Sequence, residues 1–278
     1  MNETERNVQA ILKSSSYILA EQDVSFLARH ELRPVRLQLE LLKPEMAFHE
    51  HQIASTIVVF GSTRIVERET LEERLQSAQT ALAVTPNDPQ AARQVARAER
   101  LLAKAHYYDA AREFTRIVSS RARTKGREYV VVTGGGPGIM EAANRGAYDV
   151  GAKSVGLNIT LATEQAPNPY ITPGLCFQFH YFALRKLHFL LRAQALVVFP
   201  GGFGTIDELF DALTLRQTHR MQEIPIILFG RRYWEQVLDF QFMADEGVIA
   251  DDDLELISYA ETPEAIWNTI ANFHRLEP

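Results

Sequence analysis

Five short runs fix what this chain can become: "STIVVFGSTR" (55–64), "EYVVVTGGGPG" (128–138), "KSVGLNI" (153–159), "ALVVFPGGFG" (195–204) and "IPIILFG" (224–230). A strand with one wet face alternates apolar and polar residues, whereas these runs are apolar almost throughout. That pattern belongs to strands covered on both faces. Helical stretches separate them, among them "IMEAANRGAYDVG", "YFALRKLHFLLRA" and "IDELFDALTLRQTHR". The alternation predicts an α/β fold: a doubly wound, Rossmann-like parallel sheet with helices on both faces. "CFQFHYF" (176–182) is expected to add a further strand. Three of the runs end in Gly-Ser or Gly-Gly turns, at the sheet edge where open α/β sheets bind ligands.

At 278 residues and 46% hydrophobic, the chain suits a single domain over 1–278 with a substantial core. Two segments exceed a minimal fold of this type. Residues 1–53 read as an amphipathic helical extension, broken at Pro34 and Pro44. Residues 65–126 read as an inserted helical hairpin, with Leu71, Leu75, Ala78 and Leu82 on one arm and Ala91, Val95, Ala98, Leu102 and Ala105 on the other. Asp88 as N-cap with Pro89 at the first helical position starts the second arm. Run on to Ser119, that arm would be roughly 45 Å long and overhang the sheet.

A net charge of −6 argues against nucleic acid as a partner. Cys176 is the only cysteine, so no intramolecular disulfide or cysteine-rich metal site can form. Neither H-E-x-x-H nor paired cysteines occur, and no metal or other cofactor is expected. The polar N-terminus lacks the apolar core of a signal peptide or membrane span, which points to a cytoplasmic protein without membrane contact.

The glycine turns carry the chemistry. Gly61 and Ser62 end the first run; Gly134, Gly135, Gly136 and Gly138 follow the second, with Glu141 one turn on. Glycines opening a helix let backbone N–H groups approach a phosphate. The spacing is not G-x-G-x-x-G, no acid follows "GLNI" to hold a ribose diol, and no Gly-Lys-Ser/Thr completes a P-loop. In "PGGFGTIDE", Thr205 and Glu208 have capping-box spacing. That explains neither Gly201, Gly202 nor Gly204. Two anion-friendly turns on one sheet edge imply a phosphorylated ligand with a carboxylate beside it. On the helix between them, Arg185, His188 and Arg192 share a face by spacing. His188 is read as structural, and a lone arginine there as a solvated residue.

"GGGPGIMEAANRGA" and "PGGFGTIDE" resemble the two signature motifs of the LONELY GUY family, whose members are often mislabelled lysine decarboxylases. The second fits P-G-G-x-G-T-x-x-E throughout, and an Arg-Lys pair, Arg185 and Lys186, lies upstream. The resemblance spans about 57–230, interrupted by the hairpin. It implies a phosphoribohydrolase that cleaves nucleoside 5′-monophosphates, such as AMP or cytokinin ribotides, to free base and ribose 5-phosphate. It also implies Arg185 and Glu208 as the catalytic pair. Lys186 and the glycine turns would then bind substrate. Compact members of the family lack both the N-terminal extension and the insert.

Cleaving a ribosyl–base bond passes through an oxocarbenium-like state that a carboxylate stabilises. Glu208 is expected to be anionic, held so by the helix dipole, and Arg185 to serve as a fixed charge. A non-catalytic Rossmann-like nucleotide carrier or sensor is the alternative. Pyridoxal phosphate chemistry would need a Schiff-base lysine with its supporting groups. The hairpin is expected to contribute to a homo-oligomer, at least a dimer.

Overall fold

The computed structural model describes residues 1–121, 129–160 and 166–276. Seven strands form one parallel sheet: β1 (Ser55–Phe60), β2 (Tyr129–Thr133), β3 (Ser154–Ile159), β4 (Cys176–Phe179), β5 (Ala193–Val198), β6 (Ile226–Phe229) and β7 (Ile257–Ala260). Their order is β4-β3-β2-β1-β5-β6-β7, and every neighbouring pair is parallel. The chain winds outward from β1 to β4, returns to the middle at β5, and winds outward again on the other side. The five apolar runs became β1, β2, β3, β5 and β6, and "CFQFHYF" supplied β4. β7 had no such signal: its residues are short and mostly half-buried.

Thirteen residues of β1, β2 and β5 enter the two cores, alternating sides along β1 and β2 and, in β5, from Ala195 to Val198. Ile57 and Val59 point to one face and Val58 and Phe60 to the other, the two-residue period of extended chain. The first face is covered by α6 (His106–Arg121), α7 (Ile139–Asp149) and α12 (Pro263–Phe273), through Phe114, Ala142 and Ile266 among others. The second is covered by α3 (Arg33–Glu50), α8 (Phe182–Leu190), α9 (Phe203–Gln217) and α10 (Arg231–Val237), through Phe48, Phe189, Leu209 and Trp234. A short α11 (Phe240–Asp245) and a 3-10 helix over Asp251–Leu256 lead into β7.

Two expectations change. Pro34 stands in the first turn of α3, where its missing N–H costs nothing, but Pro44 lies inside this 18-residue helix without ending it. Buried Pro44 and Phe48 anchor that stretch of α3, and packing outweighs the lost hydrogen bond. Ahead of α3 come α1 (Glu3–Leu12) and α2 (Val24–Leu27), neither with a buried residue. The second change is in the connection from β1 to β2, whose described residues hold three helices: α4 (Arg68–Val84), α5 (Pro89–Leu102) and α6. The expected continuous arm from Pro89 to Ser119 breaks at Ala103–Ala105, where backbone bonds turn the chain. Asp88 caps α5 as read, through Gln90 N–H. α4 and α5 pack on each other, whereas α6 packs on α7, α12 and β2. α6 is therefore a sheet-covering crossover helix. The expected end of the insert, 126, lies outside the described residues.

α6 and α7 meet at Gly146, where an added Cβ would fall 2.1 Å from the Arg112 carbonyl oxygen and 2.1 Å from Thr115 Oγ1. Gly146→Ala is expected to destabilise by about 1–3 kcal/mol through overpacking, despite alanine's better helix propensity. Thermal melting checks this, and an unchanged or higher Tm would contradict it.

Candidate active site

The winding reverses between β1 and β5, so the loops leaving their C-terminal ends diverge and open a crevice. A cleft of ≈ 470 Å³ sits there, lined by Phe60 to Arg64 after β1, by Gly202 to Thr205 after β5, and by Arg185 and Glu208. Backbone bonds stitch the two loops at their roots: Phe199 N–H to the Phe60 carbonyl at 2.9 Å and Ser62 N–H to the Pro200 carbonyl at 3.0 Å.

α9 begins at Phe203, with Gly202 as N-cap and no side-chain cap. The expected capping box is absent. Helix starts two residues before Thr205, which puts Glu208 in the second turn, and its carboxylate turns to Arg185 instead. Thr205 packs over Gly201, where an added Cβ would fall 2.1 Å from Thr205 Oγ1. At Gly202 and Gly204 a Cβ would meet nothing within 4 Å. Protein packing therefore does not demand those two glycines; they keep the helix N-terminus low and open along the cleft. Phe203, between them, is 93% exposed.

Arg185 Nη2 donates to Glu208 Oε1 at 2.9 Å, with 14% of the arginine side chain and 7% of the glutamate side chain exposed. The guanidinium lies over the rings of Phe182 and Phe189, at 5.0 and 5.6 Å. Its Nε is buried without a partner. Burial raises the Glu208 pKa above the ordinary glutamate value; Arg185 and Lys186 pull it down, and Asp207 adds to the rise. This reverses the expected dipole effect. Desolvation of a carboxylate one turn into the helix outweighs partial charges that fade beyond the first turn.

Of the residues singled out in the sequence, Gly61, Ser62, Gly134, Arg185, Gly202, Gly204, Thr205 and Glu208 line the cleft. The others do not line it. Gly135 N–H bonds Thr133 Oγ1 at 2.9 Å, and the Gly136 carbonyl accepts from Asn168 Nδ2 at 3.1 Å. Gly138, at φ +75°, admits the Ser62 carbonyl where a Cβ would lie 2.3 Å away. That same carbonyl accepts the Ile139 N–H at 3.0 Å. In the turn after β2 the Gly135 and Ile139 N–H groups are thus taken by protein acceptors, while Gly134 and Met140 line the cleft. Glu141 accepts from the Tyr108 hydroxyl at 3.0 Å. Lys186 Nζ pairs with Asp207 at 2.9 Å and lies 4.0 Å from Asp211. The shared face of Arg185, His188 and Arg192 divides: His188 is buried and Arg192 pairs with Glu45.

Thr63, Arg64, Met140 and Phe189 line the cleft but were not singled out. The signal for Arg64 was its place just after a Gly-Ser strand end. Among the described residues Arg64 makes no ion pair. No cluster of His, Cys, Asp and Glu suited to a metal ion occurs among them, and no helix is long and apolar enough to cross a membrane.

Residues 140–270 match the profile of a family described as "Possible lysine decarboxylase". Over 134 residues the chain is 29% identical to a pyrimidine/purine nucleotide 5′-monophosphate nucleosidase of Escherichia coli K12, covering 44% of this chain and 28% of that protein. Over 162 residues it is 28% identical to the cytokinin riboside 5′-monophosphate phosphoribohydrolase LOG of Oryza sativa subsp. japonica, covering 57% of this chain and 64% of that protein. The chain thus spans less than two thirds of either relative. A molybdenum cofactor binding protein from Rippkaea orientalis superposes with a TM-score of 0.44 and 18% identity, over 60% of this chain and 87% of that one. The family resemblance carried by the two motifs is borne out.

Because burial disfavours the ionised form, Glu208 is less ionised at any given pH than a free glutamate. Its carboxyl should titrate above the ordinary value of 4.5. In Arg185→Ala it should titrate higher still, as the nearest positive charge is gone. ¹³C-carboxyl NMR, with Glu208→Gln to assign the signal, checks both directions.

Proposed function

From a chain that carries the signature region of the LONELY GUY family, we propose a nucleoside 5′-monophosphate phosphoribohydrolase. It hydrolyses the N-glycosidic bond of AMP or a cytokinin riboside 5′-monophosphate to free base and ribose 5-phosphate. One observation carries the reading: a nearly buried Arg185–Glu208 pair lines the same cleft as an uncapped, glycine-flanked helix N-terminus.

The first-turn N–H groups of α9 take the 5′-phosphate, where backbone donors and the helix dipole favour an anion. Arg64, on the facing loop, adds a charge. With phosphate anchored there, the ribose reaches along α9 toward Glu208. As the base departs, positive charge grows on the ribose, and the Glu208 carboxylate stabilises it and orients the attacking water. Arg185 holds that carboxylate ionised against its desolvation. Both relatives' names concern nucleoside 5′-monophosphates, which supports the substrate class.

A decarboxylase is poorly supported. Lys186 is held by Asp207 and Asp211 and does not line the cleft. The carrier reading explains the anion site but not a carboxylate kept beside it at the expense of burial. We also propose a homo-oligomer, at least a dimer, in the cytoplasm. Exposed Leu39, Leu42 and Met46 on α3, Phe182 and Leu187 on α8 and Leu191 just after it support assembly. Sedimentation at micromolar concentration tests it, and a monomer would end that part of the proposal.

AMP should yield adenine and ribose 5-phosphate, while adenosine should be nearly inert, since each lost charge-assisted bond removes about 1.5–3 kcal/mol. Equal cleavage of the two would overturn the phosphate site. Glu208→Gln should lower turnover roughly a hundredfold or more, about 3 kcal/mol at 1.4 per tenfold, with nucleotide affinity little changed. Arg185→Lys should recover little of what Arg185→Ala loses, because an ammonium cannot copy the guanidinium fork. Single-turnover release of free base measures all three.

A further inference from the structure

α8 carries Arg185 but supplies no cap of its own; Tyr181, at its N-cap, offers no side-chain acceptor. The acceptor comes from α3, 140 residues earlier. Glu40 takes the His180 N–H on Oε1 at 2.8 Å and the Tyr181 N–H on Oε2 at 3.1 Å. Just beyond the other end, Arg192 donates from Nη1 and Nη2 to the two oxygens of Glu45, each at 2.6 Å. The Arg192 guanidinium also lies 5.2 Å over the Phe48 ring of α3. Between these contacts, His188 is buried against Phe48 and Phe179, its Nδ1 3.3 Å from Glu45.

We propose that α3 is a positioning element for the reaction centre: Glu40 and Glu45 clamp the two ends of α8 and thereby hold Arg185 against Glu208. Its catalytic meaning rests on the proposed reaction, while its geometry does not. Neither glutamate lines the cleft, so each acts only through α8. Both contacts are two-pronged and charge-assisted, the strong and directional kind. The Glu40 carboxylate also meets the positive end of the helix dipole. A shift of about 1 Å at a reacting group can cost roughly a hundredfold in rate, and a guanidinium is only as well placed as its helix.

The test uses the full chain with Glu40→Ala, the milder Glu40→Gln, which keeps one acceptor oxygen, and Glu45→Gln. The charges around Glu208 are Arg185 and Lys186 from α8, Asp207 beside it on α9 and, across the cleft, Arg64 from the β1 loop. If Arg185 recedes in Glu40→Ala, the Glu208 titration followed by ¹³C NMR moves up. Deleting a negative charge by its field alone would move it down, so the sign separates the two causes. We expect an upward shift, with kcat for AMP reduced roughly tenfold to a hundredfold at little change in KM, and a smaller effect of the same sign in Glu40→Gln. Glu45→Gln should shift the titration the same way. An unmoved titration with only a lower Tm would mean that α3 merely holds the fold, and a downward shift would mean a field effect; either overturns the clamp. Should the wild-type chain cleave no monophosphate, the proposed reaction fails, yet the titration still decides the clamp.

Discussion

Everything in the site follows from the reversal between β1 and β5. Neighbouring parallel strands whose chains depart to opposite sides cannot share a covering loop, so the sheet edge stays open there. That opening sets α9 end-on to the cleft and brings α8 alongside it. Backbone bonds at the loop roots hold the gap at a fixed width. The glycines then act locally: Gly138 lets the β1 and β2 loops touch, and Gly201 lets Thr205 fold over the strand end. Neither contact makes chemistry, but both fix the walls between which it would occur.

Within this frame the electrostatics are in tension. Burying a carboxylate and a guanidinium costs solvation that their mutual attraction only partly returns. The chain accepts that cost in α8 and α9 and surrounds it with apolar support from Phe182 and Phe189. The remaining charges are handled separately. Lys186 is satisfied on the far side by Asp207 and Asp211, and Arg192 by Glu45. Of three basic residues within one short stretch, only Arg185 is delivered to the cleft.

The sequence displayed the sheet clearly because burial on both faces writes itself as uninterrupted β-branched runs. Glu208 and Arg185 were singled out for a different reason, the resemblance of the motifs around them to those of a known family; by its own pattern Arg185 read as a solvated residue. What stayed hidden depended on strand order, which local pattern does not encode. Nothing in "FGSTR" says that its strand lies beside β5, so Arg64 and Thr63 passed unmarked although Gly61 and Ser62 before them were singled out. The capping-box spacing of Thr205 and Glu208 misled because glycines 202 and 204 are themselves drawn into the helix start. The break at Ala103–Ala105 had no glycine or proline to announce it; tertiary packing of α6 on α7 and α12 decides it. Glu40 and Glu45 were not singled out within the amphipathic N-terminal stretch, and only the fold reveals their partners.

The root of α4 has a bearing on how the paired helices join the main body. Glu67, just before that helix and three residues past the cleft loop, is paired with Arg145 of α7, which also lies over the Tyr170 ring at 5.1 Å. The chain is thus pinned to the main body before α4 and α5 begin, and α6 re-enters the sheet layers after them. The paired helices between those points therefore connect to the cleft loop through a fixed root. Most of the exposed surface of the pair thus lies apart from the cleft, on a segment tethered at both ends.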